Sequence, residues 1–133
     1  MAMRTLVNAA VVIALAIGFG ACGGSSSPSS PDPGNNGTIA ATIVIDATGN
    51  VTPRDVTVPA GSRVTFTNNH NTLHQMASDP HPEHTLCPSL NTVGTLTPGQ
   101  SGTSSNLNTP MLCTYHDHIN DTDARVKGSI RIQ

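Results

Sequence analysis

From Thr38 onward, apolar and polar positions alternate in short runs separated by turn residues. Thr38 to Asp46, TIAATIVID, is rich in β-branched residues, and Ala47 to Asn50 reads as a turn. Arg54 to Val58 alternates until Pro59-Ala60-Gly61 breaks the run. Proline presets one turn position there and glycine supplies a positive φ. Ser62 to Asn68 alternates again, with Val64 and Phe66 on one face. Thr92 to Asn108 reads as two strands around a Pro98-Gly99 turn, and Met111 to Tyr115 as another strand. The last run, Val126 to Gln133, alternates through Val126, Ile130 and Ile132. No helical stripe interrupts this pattern, and six to eight short strands predict an all-β Greek-key sandwich or barrel. Asn69 to Asn91 reads as a long irregular loop, and loops of that length in a compact domain are usually functional.

The amino-terminal end is different. Met1 to Arg4 is a short basic start, Leu6 to Phe19 is an apolar run, and small residues precede Cys22. Such a layout reads as a secretory signal peptide over residues 1–21, and the run is shorter than the roughly 20 apolar residues of a spanning helix. Phe19 to Cys22, FGAC, resembles a bacterial lipobox, although Phe19 stands where an aliphatic residue is usual. The resemblance implies lipidation of Cys22. Gly23 to Gly37 holds only Gly, Ser, Pro, Asn and one Asp, so residues 22–37 read as a lipid-anchored flexible linker before a domain over 38–133. Such a tether spans on the order of 20 Å. The expected location is the bacterial cell envelope or periplasm, as an exported, membrane-anchored lipoprotein.

Composition narrows the function. The formal net charge is −2, and cleavage before Cys22 removes Arg4 but none of the eight acidic residues. A mildly acidic chain without a basic patch argues against nucleic acid as a partner. No HExxH helix and no GxSxG elbow is present, and a non-enzymatic role is expected. All six histidines (His70, His74, His81, His84, His116 and His118) lie between residues 70 and 118, together with Cys87 and Cys113. Imidazole and thiolate are preferred ligands of copper and zinc. Cys113-x-x-His116 follows a strand, and the His74 loop can meet it at one end of a sandwich.

These residues resemble the cupredoxins, the small blue-copper domains of the plastocyanin and azurin type. The resemblance rests on VPAGSRVTFTNN (Val58 to Asn69), His74, LTPGQS (Leu96 to Ser101), CTYH (Cys113 to His116) and the closing GSIRI (Gly128 to Ile132). It implies a cupredoxin-like fold and copper, ahead of zinc, held by His74, Cys113 and His116. No methionine follows His116 as an axial ligand, so His118 or Met76 would replace it. Asp117 would orient a histidine ligand.

Cysteine parity opens a second reading. If Cys22 carries lipid, Cys87 and Cys113 remain, and two cysteines in an exported domain commonly pair. The bridge would close about 26 residues, worth about 3 kcal/mol in the chain-entropy model, and would remove the thiolate. Three functions therefore stay open. A free Cys113 makes a one-electron carrier with a redox or copper-handling partner. A bridged Cys113 leaves a histidine-only site for copper binding or delivery, built from His74 and His116 with His118, His84 or His81. The third is a metal-free recognition domain on the same scaffold.

Overall fold

The structure, a computed structural model, describes residues 36–133. The signal peptide, Cys22 and nearly all of the linker lie outside the described residues. Nine strands form two mixed sheets: β1 (Ile39–Ile45), β2 (Val51–Thr52), β3 (Asp55–Val58), β4 (Arg63–Asn68), β5 (His74–Ser78), β6 (Gly94–Leu96), β7 (Ser101–Thr103), β8 (Met111–Asp117) and β9 (Gly128–Ile132). One sheet has the order β2-β1-β4-β7 and the other β3-β9-β8-β5-β6. β1 runs parallel to β4 and β3 parallel to β9, while every other pairing is antiparallel.

The period-two pattern is what builds this sandwich. In β4, Val64, Phe66 and Asn68 turn inward. Outward, the hydroxyls of Thr65 and Thr67 pair across the ladder with Thr103 and Ser101, each at 2.8 Å. From the facing sheet, Cys113 and Tyr115 of β8 and Ile130 and Ile132 of β9 enter the same core. The Phe66 and Tyr115 rings meet edge to face across the sheets, 5.1 Å between centroids. Tyr115 keeps its polar tip satisfied by donating to the Arg54 carbonyl at 2.9 Å. Burial raises its phenol pKa, so the donor stays protonated.

One expectation is corrected. The segment 69–91 is not irregular throughout: it contains β5, and a 3₁₀ helix starts at Pro88. The sequence HQMAS carries neither β-branched residues nor clean alternation, because β5 is an inner strand between β8 and β6 with little of it exposed. Met76 lies in the core at 0% exposure, where it fills apolar space and is not an axial ligand.

Gly128 opens β9 where the Arg54 carbonyl and the Tyr115 hydroxyl crowd its α-carbon. A methyl group there collides with both, and overpacking of this kind costs about 1–3 kcal/mol. Gly128→Ala is therefore expected to lower the unfolding free energy by that amount, read as a lower urea midpoint. An unchanged midpoint would show that this corner is not tightly packed.

Candidate metal centre

β8 carries the chemistry, and its alternation decides how that chemistry is divided. Cys113, Tyr115 and Asp117 share one side of the strand, and Thr114 and His116 the other. Cys113 and His116 are three residues apart within one continuous strand, so they point to opposite faces. Cys113 enters the core and forms a disulfide with Cys87, with α-carbons 5.8 Å apart. The expectation of Cys113 as a copper thiolate is thereby corrected, and the bridged alternative is the one observed.

On the other face, His116 is 1% exposed. The segment following β5 folds back over it. Asp79 accepts from His116 Nδ1 through Oδ1 at 2.7 Å. Burial pushes the Asp79 carboxyl up, but hydrogen bonds with Thr114 and His116 outweigh it and hold the group below the usual carboxylate range. A carboxylate can only accept, so Nδ1 carries a proton, and in the neutral imidazole Nε2 is left with its lone pair. That Nε2 is the one buried side-chain nitrogen or oxygen without a hydrogen-bond partner among the described residues.

Around it stand three further imidazoles. One ligand atom from each of His81, His84, His116 and His118 lies within 4.8 Å of every other. Their ring centroids are 4.8 to 5.7 Å apart for the pairs in contact. His118 Nδ1 and His84 Nε2 approach to 3.1 Å. A tetrahedral shell with metal–nitrogen bonds of about 2.0 Å needs nitrogens about 3.3 Å apart. The cluster is thus wider than a closed shell, with four imidazole donors and one buried nitrogen that has no partner. This donor set fits copper or zinc.

The loop that delivers His81 and His84 is firmly held. His84 has φ of 54°, a conformation rare for a residue with a side chain. Its N–H donates to the Pro80 carbonyl at 2.7 Å. Its own carbonyl accepts from Ser78 Oγ at 3.0 Å and Asn91 Nδ2 at 2.8 Å. The disulfide then fixes the loop at Cys87 to β8. Burial lowers the His84 pKa, and the neighbouring His118, His116 and His81 push it the same way. His84 is therefore kept in the neutral form that a metal requires.

His74 lies elsewhere. Its Nδ1 donates to Asp117 Oδ2 at 2.8 Å, and its Nε2 faces His70 Nδ1 at 2.9 Å. The structure therefore brings His116 and His118 together with His81 and His84, and leaves His74 in a separate pair. Asp117 was expected to orient a metal-ligating histidine, and the histidine it holds is His74, outside the four-histidine group. Asp79 was not anticipated. Its signal was the Asp-Pro-His-Pro run itself, which places an acid directly before a histidine loop.

Two outcomes follow. Replacing Cys87 and Cys113 together by Ala is expected to cost about 2–4 kcal/mol in denaturant unfolding, and to weaken metal binding because the His84 loop loses its anchor. Unchanged affinity would separate the bridge from the centre. The lowered His84 pKa also sets a sign. The unfolded chain takes up its proton near the ordinary 6.5, before the folded chain does. The His84 contribution is full above that pH and falls as pH drops below it. Metal-free protein should lose stability as the pH drops below about 6.5, and His84→Asn should flatten the slope.

No protein-family model matches the chain, and the curated proteins give no match. Solved structures do resemble it. A purple cupredoxin from Nitrosopumilus maritimus aligns over 70% of this chain and 99% of its own, at 18% identity and a TM-score of 0.56. Oxidised plastocyanin from Dryopteris crassirhizoma aligns over 69% and 99%, at 23% identity and 0.54. A Cu(I) form of an amicyanin mutant aligns over 72% and 82%, at 15% identity and 0.53. Likeness at these identities is one of fold, and by fold the described residues form a cupredoxin-like domain.

Proposed function

We propose that this chain is an exported copper-binding protein that holds one ion with His81, His84, His116 and His118, without a thiolate. The observation that carries this reading is the buried, partnerless Nε2 of His116, aimed among three other imidazoles. Burying a polar atom without a partner costs about 1–3 kcal/mol, and a metal ion would remove that cost. The cupredoxin-like fold supports copper over zinc as the cargo.

The chain's own residues divide the work. Asp79 fixes the orientation of His116, and the 79–87 loop supplies the imidazoles of His81 and His84. The disulfide keeps that loop against β8. With Cys113 bridged, the blue one-electron-carrier reading has no sulfur ligand, and copper binding, delivery or sensing takes its place. No catalytic role is part of the proposal. The signal peptide, a lipid on Cys22 and the Gly- and Ser-rich tether would hold the domain at a membrane surface of the cell envelope, facing a copper-handling partner. This part rests on the sequence alone.

The test is a visible and paramagnetic-resonance titration of the purified chain with Cu(II), without reductant. Tight binding with faint colour and hyperfine coupling to several nitrogens is expected. His116→Ala should weaken it at least a hundredfold. His118→Ala, at a less buried position, serves as the check against loss of folding. An intense blue thiolate band, or no binding at all, would sink the reading.

A further inference from the structure

We propose that His70 and His74, together with Thr72, form a second and weaker copper site at the opposite side of β8. His74 is 3% exposed, and its Nδ1–H donates to Asp117 Oδ2 at 2.8 Å. The proton is therefore fixed on Nδ1, and the lone pair of Nε2 points away from the carboxylate. It points at His70 Nδ1, 2.9 Å away. Thr72 Oγ1 lies 2.9 Å from His70 Nδ1 and 3.3 Å from His74 Nε2. The three donor atoms thus form a triangle with edges of 2.9, 2.9 and 3.3 Å, at or inside the roughly 3.3 Å between neighbouring ligands of a tetrahedral first-row metal, so the site needs only a small opening to admit one.

The surroundings hold this triangle in place. Asp117 is fully buried, and its other oxygen accepts from the backbone N–H of Gln75 at 2.8 Å and of Ile119 at 3.2 Å. The carboxylate cannot swing away from His74. The His70 backbone N–H is tied to Asn68 Oδ1 at 2.9 Å. Its ring lies over Gly49, where a β-carbon would come within 3.2 Å of the imidazole. Gly49 has φ of +81° and leaves that space open. The plan repeats the His116–Asp79 arrangement: a carboxylate holds the outer nitrogen of a buried histidine, and the other nitrogen faces a second imidazole. Carboxylate–histidine pairs of this kind orient and strengthen metal ligands. Two imidazoles and a hydroxyl bind less tightly than four imidazoles, which sets the order of filling. This inference stands on residues separate from the four-histidine centre, and the two can fail independently.

The experiment is a calorimetric titration of the full purified chain with copper(II) chloride in glycine buffer, which competes for weak surface sites. The wild-type chain is expected to take up two equivalents, the second at least tenfold weaker. His70→Ala and His70→Gln should each remove the weaker equivalent while the circular dichroism spectrum stays native. His118→Ala should remove the tighter one and spare the weaker. If both His70 variants bind as wild type does, the two imidazoles only share a proton and the second site does not exist. If a single equivalent binds and is lost with His118→Ala but not with the His70 variants, the second site falls and the four-histidine centre stands. If the single equivalent is lost with the His70 variants alone, the second site stands and the four-histidine reading falls.

Discussion

A β-strand sends alternate side chains to opposite faces, and in β8 this alternation separates sulfur from imidazole. Cys113 and Asp117 go one way and His116 the other. Had the strand ended at Cys113, a turn could have aimed Cys113 and His116 at one metal. Instead the ladder continues to Asp117, which pairs with Met76 of β5. Cys113 is then left in the core, where Cys87 is its partner. The rest of the site depends on this continuation. It moves His116 to the far face, places Asp117 beside His74, and leaves the remaining ligands to come from the 79–87 loop and from His118 in the turn after β8.

Electrostatics explains how so many imidazoles can gather in a small domain. Each buried histidine, His116 and His74, gives its outer N–H to a carboxylate, Asp79 and Asp117. The inner nitrogen then has a fixed direction. Burial, and then the neighbouring imidazoles, push His84 toward neutrality. The ligand nitrogens of the cluster converge. Without a metal, one of them, on His116, is left without a partner. The loop that provides this geometry contributes few apolar contacts of its own. Its order comes from hydrogen bonds to Ser78 and Asn91 and from the disulfide.

Much of the fold was legible in the chain. The alternating runs around Ile43, Val64, Phe66 and Ile130 were readable as strands because one face is apolar and the other polar. β5 was not, because its inner position hides nearly all of its residues and its composition is HQMAS. Parity pointed to the Cys87–Cys113 bridge once Cys22 was set aside, but the family resemblance pulled Cys113 the other way, and the sequence left both readings open. The separation of His74 from His116 was not legible. They lie on the paired strands β5 and β8, and only the register of β5 against β8 assigns them to different sides.

By itself, the sequence determined an all-β sandwich, a metal-binding chemistry concentrated in residues 70–118, and a cysteine pair in conflict with a thiolate ligand. These follow from period-two patterning and residue type, which are local properties. Only the tertiary structure decided which histidines belong together. Four donors from the loop after β5, from β8 and from the turn after it meet because that loop folds back over one face of the sheet. That fold-back depends on the Asp79–His116 hydrogen bond, the doubly held His84 carbonyl and the Cys87 anchor. The Asp79–His116 hydrogen bond and the disulfide join residues 37 and 26 positions apart, and no local pattern along the chain sets such pairings.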